Sequence, residues 1–417
     1  MPSAWIIGTA CTRFGKHADR SFKELTREVY MQVLADAGLS DGAQIEQAWF
    51  GNCGMGQWGQ GGIRGQVCFT PLVEEGLFPE RVPIVNVESG CATASQALHG
   101  AWKDVVSGES QVSLAVGLEK LFSPDRPERL PEIFATGIDQ LDPQLWHEYY
   151  AAAGREAGKP FETGPGRTVF MDTYAMQAAW HMKRYGTTQR QIAIACSKNH
   201  ANGALNPKAQ YRFEMSVDEV LADRPVSFPL TRSMCSPIGD GAAAAIVCSE
   251  DMLASLPAAT RARAVKIRAS VLSGGKYRRL DEPGLTRIAA DKAYARAGLK
   301  AADIDVAEVH DATSFCEIYQ SEMLGFCPEG EGGRFAESGA SSREGSLPIN
   351  PSGGLVSKGH PVGATGLSMI YELCLQLRGE AGERQVKGAT VALAENGGGV
   401  MGFDEAACAI TILEKVR

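Results

Sequence analysis

The spacing of apolar and polar positions divides the chain into short buried strands and amphipathic helices. The segment "VPIVNV", Val82 to Val87, is short, β-branched and apolar, so it reads as a buried strand. It runs into "ESGCATASQALHGAW", where a polar turn at Ser89-Gly90 precedes Cys91 and a run of small residues of helical character. Strand, tight turn, thiol and helix in that order outline a nucleophile elbow. Unpaired N–H groups at a helix start favour negative charge, so the pattern predicts a Cys91 thiol pushed toward thiolate. The opening segment "MPSAWIIGTACTRFG" has a brief apolar run without a basic lead, and reads as a first strand rather than a secretory leader.

The same pattern occurs twice. "ELTREVYMQVLADAGLSDGAQIEQAWF" from Glu24 and "LTRIAADKAYARAGLKAADIDVAEVH" from Leu285 each give an amphipathic helix, Ala-Gly-Leu, a polar turn and a strand. Gly38 and Gly298 fit helix C-caps, and Leu39 and Leu299 the capping contacts that follow. A second echo sets the Cys91 turn and its helix against "NPSGGLVSKGHPVGATGLSMIYELCLQL", Asn350 to Leu377. Each then leads into a strand, "VSLAVGLEK" from Val112 and "TVALAENGGG" from Thr390. Two α/β halves, each a mixed sheet with helices, account for both echoes. Residues 121–215 differ in character, with early prolines, the aromatic run "WHEYYAAAG" and the helix "TYAMQAAWHMKRYG". They read as an inserted excursion of the kind that covers a substrate site.

Composition narrows the class. At 417 residues the chain exceeds one simple core, and a formal charge of −8 argues against nucleic-acid binding. No apolar run approaches the ~18 residues of a membrane span. The 11 cysteines show no CxxC and no ladder of metal spacings, which predicts free thiols, a reducing, cytoplasmic setting and no metal site.

Four stretches carry candidate chemistry: "SGCATAS" at 89–95, "VHDATSFCE" at 309–317, "SKGHPVGATG" at 357–366 and "AENGGGVMG" at 394–402. Together they form a Cys-His constellation suited to acyl transfer, with glycines that let backbone N–H groups approach an oxyanion. With "CSPIGDGAAAAIVCSE" from Cys235, these stretches resemble the thiolase superfamily, and within it the sterol-carrier-protein-type branch, over nearly the whole chain. The resemblance implies an α/β thiolase fold of two similar βαβαβαββ halves in five αβαβα layers. The first half would be 1–265, including the inserted loop domain 121–215, and the second 266–417.

It further implies coenzyme A thioesters as substrates and coenzyme A as co-substrate, with no permanently bound cofactor. A homodimer or dimer of dimers is implied, and a separate zinc-ribbon/OB-fold polypeptide is an expected partner. By this resemblance Cys91 is the acylated nucleophile and His360 takes its proton. His310 lines one oxyanion hole, and the N–H groups of Cys91 and of the Gly398-Gly399 turn form another. Lys208 and Arg212 are candidates for CoA phosphates, and Ser236 for substrate contact. The chain departs from the family where a second thiol is expected. Ala312 stands in the H-D-C-F block and Glu395 at the C-x-G position, so Glu395 is either the base for the α-carbon or a loop anchor. Cleavage of a 3-oxoacyl-CoA with CoA leads, on an aromatic, branched or dicarboxylic acyl group such as benzoylsuccinyl-CoA. A retro-aldolase acting on a 3-hydroxyacyl-CoA and a non-catalytic acyl-CoA-binding subunit are the alternatives.

Overall fold

The apolar segments form strands in the computed structural model, which describes residues 2–162 and 168–415. In chain order these are β1 (Ala4–Cys11), β2 (Gln47–Gly51), β3 (Ile84–Val87), β4 (Val112–Glu119), β5 (Pro225–Ser227), β6 (Leu230–Thr231), β7 (Gly241–Ser249), β8 (Val265–Gly274), β9 (Val306–Glu308), β10 (Val391–Gly398) and β11 (Ala407–Lys415). β5 and β6 make a small ribbon, and the other strands run β3-β2-β4-β7-β1-β8-β11-β10-β9. β2 pairs in parallel with β3 and β4, and β9 with β10; the remaining pairs are antiparallel.

The long sheet is two half-sheets joined by a short seam. Ala4, Trp5 and Ile6 of β1 pair with Ile267, Lys266 and Val265 of β8, and pairing between the two strands stops there. A bulge closes each end of the seam. Ile7 is skipped where β1 meets β7, and Arg268 is skipped where β8 meets β11. An extra residue twists a strand and changes which side chains face which side. Accordingly Ile6 and Ile267 face the central core, whereas Ile7, Ala269 and Val271 face outward.

Three apolar clusters define the layers. The helices Phe22–Ala37 and Arg64–Glu74 cover the outer face of the first half-sheet through Leu25, Val29, Val33, Phe69 and Leu72. Helix Leu285–Ala297 covers the outer face of the second through Ala289, Ala290 and Ala293. Between the sheets lie helices Thr93–Ser107 and Thr365–Arg378, whose Ala97, Leu98, Ala101, Leu367, Ile370 and Leu373 form the central core. The order is helix, sheet, helix, sheet, helix, the five-layer α/β arrangement that the family resemblance implies.

The repeated Ala-Gly-Leu turns are helix stops in both halves. Gly38 and Gly298 adopt φ of 71° and 68°, and the amides of Leu39 and Leu299 donate to the carbonyls of Leu34 and Tyr294. Only glycine reaches this left-handed conformation at little cost. Ser21 opens the first helix with a capping box to Glu24, an arrangement worth about 1 kcal/mol.

Between β4 and β7 the chain leaves the sheet, and it does so over a longer stretch than the aromatic and proline pattern suggests, returning only at Gly241. It carries helices Arg129–Ala135, Pro143–Ala157, Val169–Tyr185, Gln189–Ala204 and Val217–Ala222. Asp240 gathers the two roots of this excursion, accepting the amides of Leu121 and Phe122 at 2.7 and 2.9 Å and that of His17 at 2.9 Å. The aromatic run packs against the second half, where Trp146 and Tyr150 meet Leu280 and Phe403. Among the described residues, no helix is long and apolar enough to cross a membrane.

Candidate active site

Cys91 sits where the first half turns from strand to helix. After β3, a 3-10 turn Gly90–Ala92 leads directly into helix Thr93–Ser107. The turn is held by the Thr93 hydroxyl, which donates to the Gly90 carbonyl at 2.6 Å and accepts the Ser89 amide at 2.8 Å. Gly90 has φ of 54°, and a Cβ there would come within 2.3 Å of the Gly399 nitrogen. A Cβ on Gly398 would lie 2.7 Å from the Cys91 nitrogen and 2.2 Å from that of Ala92. Two glycine backbones from opposite halves therefore abut at the thiol, which side chains would prevent.

The second half supplies two imidazoles. His360 Nε2 lies 3.1 Å from Cys91 Sγ, and His360 Nδ1 lies 2.7 Å from Thr365 Oγ1. The Thr365 hydroxyl donates to the Pro361 carbonyl at 3.0 Å, so it accepts from Nδ1–H and leaves the Nε2 lone pair toward the thiol. That tautomer is the one able to take a proton from Cys91. His310 packs edge-on to His360 with ring centroids 5.3 Å apart, and its Nε2 is buried without a hydrogen-bond partner. The ligand atoms of Cys91, His310 and His360 all lie within 4.8 Å of one another.

Burial governs the electrostatics. The Cys91 thiol is pushed up to about 12 by burial, reinforced by Glu405, Glu88 and Glu119 and opposed by its own amide. The expectation of a thiolate at the helix start is thus overturned, since loss of solvation outweighs the local N–H groups. Burial also holds both imidazoles neutral, His310 at about 4 and His360 well below its ordinary value.

Glu395 lies on β10, facing away from Cys91. Its Oε2 accepts the His310 amide at 3.0 Å and its Oε1 the Thr286 hydroxyl at 3.2 Å. Burial, then the charge of Glu405, raises its carboxyl to about 8. The next residue, Asn396, faces the other way, and Ser95 of the Cys91 helix donates to its Oδ1 at 2.9 Å.

A cavity of about 210 Å³ opens over the thiol. Its walls include Cys91, His360, Gly399, Ala312 and Ser236, together with Ile133, Phe134, Phe170, Met171 and Tyr174 from the excursion. No lysine or arginine lines it among the described residues, and Lys208 and Arg212 are absent from its walls, as is Glu395. The Lys208–Arg212 segment runs beside the loop that carries His360, with the Gln210 and Tyr211 amides donating to the carbonyls of Lys358 and Ser357 at 2.9 and 3.0 Å; Lys208 is half-buried and Arg212 exposed. Sequence reasoning missed Cys53, Glu88 and Tyr174 on the wall. The glycine run "GNCGMG" was the available signal for Cys53, whose thiol reaches Thr93 Oγ1 at 3.1 Å.

Family models described as thiolase, N-terminal domain, and thiolase C-terminal domain-like match residues 4–251 and 282–414. An acetyl-CoA acetyltransferase of Methanothermobacter thermautotrophicus is 37% identical over 408 residues, covering 96% of this chain and 98% of that protein. Sterol carrier protein 2 of Oryctolagus cuniculus is 35% identical over 98% of this chain and 73% of its own length. A benzoylsuccinyl-CoA thiolase subunit, BbsB, of Thauera aromatica is 30% identical over 92% of this chain and 91% of its own. Among solved structures, an Ltp2-ChsH2(DUF35) aldolase superposes with a TM-score of 0.77 at 21% identity, covering 100% of this chain and 98% of that one.

Proposed function

Because the chain belongs to the thiolase family, we propose that it cleaves a 3-oxoacyl-CoA with coenzyme A through an acyl thioester on Cys91. The observation that carries this reading is the 3.1 Å contact between Cys91 Sγ and a His360 Nε2 whose lone pair is aimed by Thr365. His360 takes the thiol proton as Sγ attacks the 3-oxo carbon, and the oxyanion meets the N–H groups of Cys91 and the Gly398-Gly399 turn. The bond between C2 and C3 then breaks, leaving the acyl group on sulfur and an enolate of the shortened thioester. The proton on His360 passes to C2 of that enolate. CoA thiol then gives its proton to His360 as its sulfur attacks the acyl-Cys91 carbonyl; the bond from that carbon to Sγ breaks, acyl-CoA leaves, and Sγ takes the proton back from His360. His310 Nε2, buried and unpartnered beside the pair, is suited to donate to the thioester oxygen as the enolate forms. Glu395 is a positioning residue in this scheme, fixing the His310 segment through its amide.

The cavity's aromatic and branched wall, Ile133, Phe134 and Phe170, supports an aromatic or branched acyl group, and relatedness to a benzoylsuccinyl-CoA thiolase subunit supports the same class. Ser236 on the wall is a substrate contact, and the 11 free thiols suit a reducing compartment such as the cytoplasm. A homodimer, and a separate subunit comparable to the DUF35 partner of the aldolase neighbour, belong to the proposal.

The test incubates the protein with a panel of 3-oxoacyl-CoA and 3-hydroxyacyl-CoA esters, with and without CoA, and identifies products by mass. CoA-dependent appearance of two acyl-CoA products supports thiolysis. Cleavage of a 3-hydroxyacyl-CoA without CoA replaces it with retro-aldol chemistry.

A further inference from the structure

We propose that Cys91, His310 and His360 also bind a zinc ion, and that the bound ion switches the nucleophile off. The three residues are far apart in sequence and show no metal-ligand spacing, yet their sulfur and nitrogen atoms lie within 4.8 Å of one another. Two observations point to an ion. The first is the donor set: one thiol and two imidazoles suit zinc or a neighbouring transition metal and not calcium or magnesium, which take oxygen ligands. The second is His310 Nε2, a polar atom without a hydrogen-bond partner on a ring that is only 1% exposed and packs edge-on against His360.

The geometry needs little change. Tetrahedral zinc, with bonds of roughly 2.3 Å to sulfur and 2.0–2.1 Å to nitrogen, brings ligand atoms to about 3.3–3.6 Å from one another. The Cys91–His360 pair already stands at 3.1 Å, so side-chain rotation of His310 supplies most of the closure. Groups behind the ligands hold them in place, as metal sites require. Thr365 fixes His360 at Nδ1, and the His310 backbone is tied to Glu395. The cavity reaches Cys91 and His360, so water has access to the site from that side. On binding, the Cys91 thiol loses its proton to solvent, His310 carries its single proton on the ring nitrogen that does not ligate, the sulfur bonds to zinc, and no electron is transferred. Zinc and the acyl group thus compete for one sulfur.

The test is a zinc titration of the full chain without substrate, by calorimetry and by competition with a chromophoric chelator. We expect one tight site per chain, lost on carbamidomethylation of Cys91 and weakened at least tenfold in His310→Ala. His310→Gln serves if the alanine variant fails to fold. His147→Ala, an exposed histidine elsewhere, is expected to leave the site intact. Cobalt in place of zinc should give a thiolate-to-metal charge-transfer band that alkylation abolishes. Absence of a tight site in the wild-type chain, a stoichiometry unmoved by alkylation, or a cobalt spectrum without the thiolate band overturns the proposal. Because binding is read without turnover, failure of the acyl-transfer reading appears separately, in the product assay.

Discussion

At the level of the residue, burial keeps the Cys91 thiol protonated, so under the proposed thiolysis its reactivity depends on its neighbour. Burial keeps the thiol near 12, so His360 must take the proton as the sulfur attacks. Cys91→Ala is therefore expected to lower CoA-dependent cleavage by about 10³-fold or more with the thermal midpoint unchanged, and adding His360→Ala should cost little further. Independent, multiplying losses in the double variant would show that the two do not act as a unit. His310 makes a different prediction. It stays neutral in the folded chain down to about 4, whereas in the unfolded chain it takes up a proton near 6.5. Between those values the unfolded state binds more protons, so stability rises with pH through the window and is lost as pH falls, on the order of 3 kcal/mol. His310→Asn should flatten that part of the stability profile in urea titrations at pH 7 and pH 4.5; an unchanged slope would remove the imidazole as its source. Glu395→Gln keeps an oxygen for the His310 amide, so cleavage should stay within about tenfold of wild type, whereas a direct base would lose roughly 10²-fold or more. The motif residues were legible because glycines and histidines in fixed local spacing leave a signature. The role of Glu395 was not, because the facing of one strand residue depends on which layer lies on each side.

Secondary elements meet at the site through backbone contact. The end of β10 presses against the Cys91 turn with Gly398 and Gly399, so the approach of the two halves is set by the absence of side chains. Gly398→Ala would put a methyl group 2.2 Å from the Ala92 nitrogen, against backbone that cannot yield. We expect it to destabilise the chain by roughly 1–3 kcal/mol and to abolish cleavage, read by thermal unfolding and product formation. Gly61→Ala, where a Cβ meets nothing within 4 Å, is the matched control and should be close to neutral. A Gly398→Ala chain with wild-type stability and rate would refute the contact. The helix-Gly-Leu echoes were readable in the sequence since capping is local chemistry, and each echo became a helix stop with its strand. The reach of the excursion to Asp240 was hidden, since short helices and the β5–β6 ribbon carry no long periodic pattern.

For the whole molecule, the two halves share one interior. The central core draws Ala97 and Leu98 from one half and Leu367, Ile370 and Leu373 from the other, so neither half closes its apolar surface alone. Calorimetry should accordingly show one cooperative transition, and two resolved transitions would mean that the halves are independent. The repeat in the sequence pointed to two similar units, but their joint core could not be read from it, because burial between layers is a property of docking. The short pairing of β1 with β8 then acts as a ruler. Cys91 belongs to one half and His360 to the other, and their separation of 3.1 Å is about the ~3.3 Å by which a strand advances in one residue. A slip of a single residue at that junction would turn core-facing side chains such as Ile6 or Ile267 outward as well as carry the sulfur and the imidazole out of contact. The skipped residues Ile7 and Arg268, one at each end of the junction, are the notches that make the slip costly. The register of three residue pairs in the sheet thus bears on a contact made in another part of the molecule.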